Sequence, residues 1–240
     1  MLTLVVGASG ATGRLLVEQL LQQGQPVRAV VRSADRLPDA LRQDDRLTVI
    51  EADIHDATDE EIARLVDGCG AIASCLGHNL TFKGLFGHPR NLVTDVTRRL
   101  CDAAQNGSPA APVRFVLMNT AGNSNRDLRE PVSLAHRGLI GLLRFGLPPH
   151  RDNEMASDYL RTEIGQDHPS VEWVVVRPDT LTSEANVTPY ELHPSPTRSA
   201  LFNPGKTSRI NTARFMAELI LNDDLWAQWS GRMPVIYNAE

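Results

Sequence analysis

Three glycines near the start of the chain have the spacing that binds the phosphates of a dinucleotide. Gly7, Gly10 and Gly13 follow a short apolar run, 2–6, and lead into an amphipathic segment, 14–23. In such a strand–turn–helix the first glycine permits a sharp turn, the second lets the backbone approach a pyrophosphate, and the third allows close packing of helix and strand. The helix N-terminus adds unpaired N–H groups and a positive dipole end. We therefore predict a phosphate-binding loop made of Gly7, Ser9, Gly10, Ala11, Thr12 and Gly13.

The residue that follows the second apolar run indicates which dinucleotide is bound. An NAD site usually has Asp or Glu about 20 residues beyond the glycine loop, where the acid binds the ribose hydroxyls. This chain has Arg32 there, and the nearest acid is Asp35. A guanidinium suits a 2′-phosphate in charge and in forked geometry, and Arg14 is placed to assist. We expect NADP as cofactor, with NADPH preferred over NADH; the alternative is that Arg32 is an ordinary solvated surface residue.

Short apolar runs alternate with helical segments along the chain, and these elements must position the loops. The alternation is typical of the α/β class and predicts a Rossmann-type doubly wound parallel sheet, three-layer, with a small irregular C-terminal region on the substrate side. Helical spacing predicts a crossover helix over 90–105. After the first strand, further strands are predicted at 27–31, 47–51, 71–76, 114–118, 171–176 and 234–237.

The C-terminal part has a different pattern. Residues 179–208 contain four prolines and little periodicity, which predicts a long irregular excursion. Asn211 is predicted to cap a last helix that ends at Leu221. We expect a single NAD(P)-binding domain over 1–240, to which 179–240 contribute a substrate-side elaboration. Ligands of doubly wound sheets bind outside the carboxyl ends of the strands, so the residues that follow each strand are the candidates for function.

Composition excludes several classes of partner and cofactor. The net charge of −5 argues against nucleic acid as the main partner. There is no run of about 18 apolar residues that would span a membrane. Met1 is followed at once by a strand, which leaves no room for a signal peptide, so a cytoplasmic location is expected. The three cysteines are an odd number without a Cys-x-x-Cys pair, which argues against structural disulfides and a zinc site, and no metal site is predicted.

Three motifs together resemble the extended and atypical short-chain dehydrogenase/reductases. They are the Gly-x-x-Gly-x-x-Gly loop with its final Ala-Thr-Gly, the triplet Ala52-Asp53-Ile54, and the run Arg177-Pro178-Asp179-Thr180-Leu181. The resemblance covers residues 1–182 and is to the NAD(P)H-binding branch that includes NmrA-like and biliverdin-reductase-B-like proteins. It implies that Asp53 accepts a hydrogen bond from the adenine amino group and that Ile54 lies against the ring. The alternative for Asp53 is an ordinary turn or cap aspartate.

The same resemblance gives roles to residues that follow the later strands. It implies that Leu76 and Gly77 let the ribose pass close to the backbone, and that Pro178 ends its strand beside the nicotinamide. After the fifth strand, Asn119 and Thr120 fall where such reductases carry a Ser or Thr that is hydrogen-bonded to the substrate carbonyl. Thr120 is therefore the candidate catalytic residue, and polar turn chemistry is its alternative.

The tyrosine–lysine pair of most short-chain dehydrogenases is absent. In that pair a lysine four residues after a tyrosine makes the phenol a better acid. No Tyr-x-x-x-Lys occurs anywhere in this chain. Alignment with the family helix puts Pro149 at the tyrosine position and Asn153 at the lysine position. Asn153 is therefore expected to hydrogen-bond the nicotinamide ribose but not to acidify a phenol, and Tyr159 is a weak catalytic candidate.

Two functions fit this pattern. In the first, the protein is an NADPH-dependent reductase of an apolar or planar acceptor that needs little enzymatic protonation, such as a flavin, a quinone or a tetrapyrrole. In the second, it binds NADP(H) without turnover and reports redox state to a protein partner, as NmrA-like regulators do. The apolar segment 136–149 is expected to be either a lid over the nicotinamide or a helix packed on the core or on a second subunit.

Overall fold

The computed structural model describes residues 1–77, 90–128, 130, 148–199 and 203–239. Its elements alternate strand and helix through the first three quarters of the chain. In order they are β1 Thr3–Val6, α1 Ala11–Gln22, β2 Val27–Val31, α2 Asp39–Arg42, β3 Leu47–Glu51, α3 Asp59–Val66, β4 Ala71–Ser74, α4 Leu92–Asn106, β5 Val113–Met118, α5 Pro148–Tyr159, β6 Val171–Pro178, β7 Thr180–Thr182, β8 Tyr190–His193, β9 Lys206–Ser208, α6 Arg209–Leu221, α7 Asp223–Trp229 and β10 Val235–Asn238.

Eight of the strands form one sheet in the order β3-β2-β1-β4-β5-β6-β10-β8. All neighbouring pairs are parallel except β10 and β8, which are antiparallel. The order 3-2-1-4-5-6 is that of a Rossmann sheet, so the predicted fold class is confirmed. Because six successive strands run the same way, the loops that follow them meet at one edge of the sheet. We call this edge the carboxyl edge.

Helices cover both faces of the sheet, which explains the continuous apolar strands. In β1, Val5 packs into the cluster that α1 and α6 cover, whereas its neighbours Leu4 and Val6 pack into the cluster that α3, α4 and α5 cover. Successive side chains of a strand point to opposite faces, so a strand buried on both faces reads as unbroken hydrophobic sequence. All four residues of β1 and of β4 are buried.

The C-terminal region is more regular than predicted. The stretch 179–208, expected to be irregular, contains three short strands, and β8 extends the main sheet while β7 and β9 pair in a small sheet of two. The prediction of Asn211 as a cap is wrong: α6 begins at Arg209, and its cap is Ser208, whose Oγ accepts from the Asn211 amide. A further helix, α7, follows with Asn222 as its cap. Strands of three or four residues are too short to show a period, which is why the sequence did not reveal them.

Among the described residues, no helix is both long enough and apolar enough to cross a membrane. Within the same residues, no group of three or more His, Cys, Asp or Glu side chains is placed to hold a metal ion. Cys69, Cys75 and Cys101 are free and buried.

Candidate functional site

The glycine loop is shaped by backbone that leaves no room for side chains. Gly7 has φ +73°, a conformation that favours glycine, and a Cβ there would lie 2.7 Å from the carbonyl carbon and oxygen of Cys75. A Cβ at Gly13 would lie 3.0 Å from the carbonyl carbon of Gly7 and 3.1 Å from Cα of Ala8, besides colliding with the Gly7 oxygen. The first turn of α1 is therefore packed directly on the turn that ends β1.

Gly10 lies between them and is exposed, and its amide donates to the Gly7 carbonyl over 3.0 Å. It is the N-cap of α1, where no side chain caps the helix and no acidic residue lies in the first turn. The amides of Ala11, Thr12 and Gly13 consequently point out of the helix end without a side-chain acceptor in the described chain. Such a helix end attracts an anion, and the space that the glycines leave fits the pyrophosphate of a dinucleotide.

Arg32 lies directly after β2 at the carboxyl edge. Its side chain is exposed and makes no hydrogen bond or ion pair with any described residue. The nearest acid, Asp35, lies instead 3.7 Å from Nη1 of Arg42. Arg14, which was expected to assist, lies 3.8 Å from Glu18 in an i,i+4 pair on α1. The end of β2 thus carries an arginine that is unpaired within the described chain, and the nearest carboxylate already lies next to another arginine.

Asp53 and Ile54 follow β3, and each side chain already makes contacts within the protein. Oδ1 of Asp53 accepts from the His55 amide over 3.1 Å, and its carbonyl accepts from Asp56 and Ala57. This is the turn aspartate that the sequence left as an alternative, although the residue is exposed and its second oxygen remains open to a ligand. Ile54 is 6% exposed and packs in the core, so only an edge of it can meet an adenine ring.

The end of β4 is described as far as Gly77. Leu76 is half-buried against the core, and Gly77 is exposed with open space where a Cβ would be. Cys75 is 8% exposed, and burial raises the pKa of its thiol to about 12. A thiol of this kind is not a nucleophile at neutral pH. His78 lies outside the described residues.

The loop after β5 is held by a network of amide side chains. Asn119 Oδ1 accepts from the Thr120 amide over 2.9 Å, and Asn119 Nδ2 donates to the Asn153 carbonyl over 2.8 Å. Asn123 Nδ2 donates to Ser157 Oγ over 2.6 Å. The Thr120 hydroxyl accepts from the Gly122 amide over 3.3 Å, which leaves its own proton for another acceptor. Thr120 is half-buried.

The helix that family alignment gives to catalysis, α5, crosses this loop. Asn153 is bound through its carbonyl to Asn119 and Asn123, while its amide side chain makes no hydrogen bond within the described chain. Its side chain is therefore available to a ribose, as the resemblance implies. Tyr159 lies at the other end of α5, beside Cys101 and Asp102 near the end of α4, and burial raises the pKa of its phenol. Tyr159 is thus far from the carboxyl edge.

Pro178 is the last residue of β6, and its carbonyl accepts from the Ala121 amide over 2.9 Å. The residue before it, Arg177, has a role that the sequence analysis missed. Its guanidinium is fully buried, lies 2.8 Å from Oε1 of Glu130, and donates to the carbonyls of Asn123, Pro194 and Met233. It joins four segments at the end of β6. The signal was available, because an arginine inside an apolar strand must find partners.

A second missed pair lies in the first turns of α5. His150 Nε2 is 3.5 Å from Oε1 of Glu154, and both side chains are largely buried. Their i,i+4 spacing next to Pro149 and Asn153 could have revealed them. Residues 136–147, most of the proposed lid, lie outside the described residues, and 148–149 begin α5.

A surface depression of about 1070 Å³ lies at the opposite edge of the sheet, between residues near the end of α4 and the start of β4. It is lined by Cys69 and Gly107 among others, and none of the predicted site residues lines it. The predicted residues meet at the carboxyl edge, so we assign the candidate site there.

Comparison with known proteins gives independent information about the family and the fold of the chain. A family model described as NAD(P)H-binding matches residues 7–223. An uncharacterised chloroplastic protein of Arabidopsis thaliana is 33% identical over 73 residues, which are 30% of this chain and 26% of that protein. The chain therefore spans about a quarter of the length of this curated relative.

Solved structures share the fold at low sequence identity. An anaerobillin reductase of Escherichia coli O157:H7 has a TM-score of 0.69 at 20% identity, with 100% of this chain and 98% of that one covered. A protein of Streptococcus pneumoniae TIGR4, provisionally named an NADH-flavin reductase, has a TM-score of 0.68 at 16% identity over 100% of both chains. A short-chain dehydrogenase/reductase of Veillonella parvula in complex with NADP has a TM-score of 0.72 at 15% identity, covering 99% and 94%.

Proposed function

This chain belongs to the NAD(P)H-binding family, and from that premise we propose that it transfers a hydride from NADPH to an apolar or planar acceptor such as a flavin, a quinone or a tetrapyrrole. The observation that carries the proposal is the composition of the carboxyl edge. The glycine loop, an arginine without a partner among the described residues, and a hydroxyl lie at this edge, and the sequence lacks the Tyr-x-x-x-Lys pair that serves alcohol and ketone substrates. The neighbours named as flavin and anaerobillin reductases support the same class of acceptor.

The residues of the site divide into those that would hold the cofactor and those that would face the acceptor. The amides of Ala11, Thr12 and Gly13 would bind the pyrophosphate, and the open oxygen of Asp53 would face the adenine. The amide of Asn153 would bind the nicotinamide ribose. When bound, the cofactor supplies a hydride from its nicotinamide ring. Thr120 has a hydroxyl proton to donate to an acceptor carbonyl, which would orient the acceptor and stabilise charge that develops on its oxygen.

The preference for NADPH rests on Arg32. An arginine bound to a phosphate makes charge-assisted hydrogen bonds of about 1.5–3 kcal/mol, which corresponds to roughly tenfold or more in affinity. We expect Arg32→Ala to weaken NADPH binding by about that factor, because the 2′-phosphate loses its partner. NADH, which lacks this phosphate, should bind the variant and the parent equally. Titration of cofactor fluorescence measures both affinities.

Arg64→Ala is the matched control, because Arg64 is an exposed arginine on α3 whose side chain makes no hydrogen bond or ion pair in the described chain. It should leave both affinities unchanged. If NADH binds the parent far better than NADPH, or if Arg32→Ala changes the two affinities alike, the preference for NADPH is wrong. If neither cofactor binds, the proposal fails as a whole.

Turnover distinguishes a reductase from a redox sensor. The loss of NADPH absorbance should be followed with flavin mononucleotide, with a quinone and with a linear tetrapyrrole, each against a blank without protein. We expect steady consumption with at least one of them. NADPH binding without consumption with any of the three would favour the alternative, a regulator that binds NADP(H) and signals to a protein partner.

A further inference from the structure

His150 and Thr120 lie beside the same point of the loop that follows β5. A Cβ built at Gly122 would lie 3.7 Å from the hydroxyl oxygen of Thr120 and 3.9 Å from Cε1 of His150. The imidazole edge and the hydroxyl therefore face one small space, and Gly122 keeps that space free of a side chain. This is the end of β5 at which the acceptor is proposed to bind.

A carboxylate on the next turn of α5 lies beside the imidazole. Nε2 of His150 lies 3.5 Å from Oε1 of Glu154, and the exposed fractions of the two side chains are 14% and 8%. Cε1 is bonded to both ring nitrogens, so the ring edge that faces Gly122 brings both of them toward the site. Neither nitrogen makes a hydrogen bond with the described residues, and the buried Nε2 is the one that lies next to the Glu154 carboxylate. Nδ1 is therefore the nitrogen that remains for proton transfer to a ligand.

Two further charged side chains, those of Arg126 and Asp158, lie on the Glu154 side of the pair. Arg126, from the loop after β5, lies 3.9 Å from Oε2 of Glu154 and is also paired with Asp158 on the same face of α5. The carboxylate of Glu154 is thereby shared between an imidazole and a guanidinium. No described lysine lies near the pair, so the positive charge that lysine supplies in most short-chain dehydrogenases is absent here.

The first turns of α5 are fixed with respect to the loop. Asp152 is fully buried and accepts from the amides of Val93 and Thr94 over 2.8 and 2.9 Å, which ties α5 to the start of α4. The Asn153 carbonyl accepts from Asn119 over 2.8 Å, which ties the same turn to the end of β5. His150 is therefore held in place before any ligand arrives, and catalytic groups held in this way lose less freedom on binding.

We propose that His150 is the catalytic proton donor of this site and that Glu154 is the residue that positions it. The inference rests on the proposed reductase function. A quinone becomes a hydroquinone by taking up one hydride, which converts NADPH to NADP⁺, and one proton. That proton leaves Nδ1 of the protonated imidazole as a new O–H bond forms on the quinone, and the neutral imidazole regains a proton from water. Histidine is suited to this step because it exchanges a proton near neutral pH.

The test uses duroquinone, whose methylated ring cannot alkylate thiols, and flavin mononucleotide as a second acceptor. His150→Phe should lower kcat for duroquinone by about 10²–10⁴-fold, the contribution of general acid catalysis. The kcat for the flavin should change little, because a reduced flavin is stable as an anion and its formation needs no proton from the protein. The NADPH affinity should be unchanged, which also checks that the variant is folded.

A second readout does not depend on turnover. Duroquinone is titrated calorimetrically into the protein saturated with NADP⁺, where no hydride is available. The Nδ1–H group donates to the quinone oxygen, so His150→Phe should weaken binding by roughly tenfold. His150→Gln keeps an N–H donor but cannot transfer its proton at neutral pH. It should therefore bind duroquinone like the parent and still lose kcat.

The role of Glu154 is tested by a double-mutant cycle. Glu154→Gln should lower kcat for duroquinone with little change in its KM, and the effect should vanish in the His150→Phe background because the two residues act as one unit. His168→Phe is the matched control: His168 lies in the loop before β6, where its Nδ1 accepts from the Ser170 amide over 3.2 Å. It should change none of these quantities.

The outcomes separate this inference from the function on which it rests. If the parent reduces duroquinone and His150→Phe does so equally well, His150 is not the proton donor, and the reductase function stands. Equal loss of kcat with both acceptors, or an undiminished Glu154→Gln effect in the His150→Phe background, also overturns the proposal. A parent protein that binds NADPH but reduces neither acceptor overturns the reductase function and this inference with it.

Discussion

Individual glycines determine the geometry of the phosphate-binding loop, and they do so for different reasons. Gly7 is needed for its positive φ and for the close approach of the Cys75 carbonyl, and Gly13 for the close approach of the Gly7 carbonyl. Gly10 is exposed and lies where a phosphate would approach. A Cβ at Gly10 would lie 3.1 Å from the Gly7 oxygen and would meet no other atom within 4 Å, so the fold requires glycine less strictly there than at Gly7 and Gly13.

Gly13→Ala should both destabilise the protein and prevent NADPH binding. The new methyl group would collide with the backbone of Gly7, which cannot move without displacing β1. Overpacking of this kind costs about 1–3 kcal/mol, and we expect the upper part of that range because the obstacle is backbone. Denaturant unfolding measures the free energy of unfolding, and cofactor fluorescence measures binding.

Gly107→Ala is its matched control. Gly107 ends α4 with an ordinary negative φ of −70°, and a Cβ there would lie 3.4 Å and 3.6 Å from the carbonyl oxygens of Ala103 and Ala104. The free energy of unfolding should change by less than about 1 kcal/mol, since only chain entropy and ordinary contacts are affected. Equal stability of the two variants would show that the packing of α1 on the turn is not tight.

The sequence predicts the role of a residue best where the steric limits of the backbone determine which residue type can occupy the position. The roles of Gly7 and Gly13 follow from the spacing of the motif. Asp53 and Ile54 were harder, because a sequence does not show that the carboxylate already binds the His55 amide or that the isoleucine is buried in the core. Arg177, His150 and Glu154 each left a signal in the sequence, an arginine within an apolar strand and an i,i+4 pair, but the loop partners of Arg177 become evident only once the chain is folded.

Among the elements, α4 and α5 depend on each other. Asn91, the N-cap of α4, makes no side-chain hydrogen bond to the helix, and Asp152 on α5 supplies the acceptor instead. The Thr94 hydroxyl also donates to Asp152 Oδ1 over 2.6 Å. A helix capped by a residue 58 positions away in sequence forms fully only when the tertiary structure is complete.

Asp152→Ala should destabilise the protein by about 2–6 kcal/mol, because two buried amides lose their acceptor at about 1–3 kcal/mol each. Asp152→Asn keeps one acceptor oxygen and should lose less. Asp102→Ala removes an exposed carboxyl group from α4 and is the control, with a change below about 0.5 kcal/mol. Urea unfolding measures all three, and an Asp152→Ala protein as stable as Asp102→Ala would refute the cap.

The strands of the first half were predictable, as were the end of α6 and strand β10 near the C-terminus, whereas β7, β8, β9 and α7 were not. The bounds of β2 and β3 agree with the prediction, because both are rich in β-branched residues, although β3 is an edge strand in which only Leu47 is buried. The short strands β7, β8 and β9 form through pairing with distant partners and leave no periodic signal. The crossover helix, predicted over 90–105, is Leu92–Asn106, which is within the usual error of a helix end.

At the scale of the whole molecule, the C-terminal elaboration contributes strands to the main sheet and a helix to the layer that packs on it. β10 pairs with β6, and β8 extends the edge beyond it. α6 packs with α1 in one apolar cluster, which also contains Trp226 and Trp229. Arg177 adds polar links from β6 to the carbonyls of Pro194 and Met233. The predicted single domain over 1–240 therefore has a physical basis, since residues 179–239 complete a core that begins with β1.

The chain carries its own probes for testing this prediction. Its three tryptophans, Trp173, Trp226 and Trp229, lie in the last third, and its three cysteines, Cys69, Cys75 and Cys101, lie in the first half. All six side chains are buried.

If the chain is one domain, tryptophan fluorescence and the reaction of thiols with a chromogenic disulfide should change together, with one urea midpoint, because both probes report the same cooperative loss of the core. Burial raises the pKa of the Cys69 thiol to about 11 and slows its reaction in the folded protein, so labelling follows unfolding. Arg177→Met should lower both midpoints equally, whereas thiols that react at a urea concentration where the tryptophan signal is still native would divide the chain into two units.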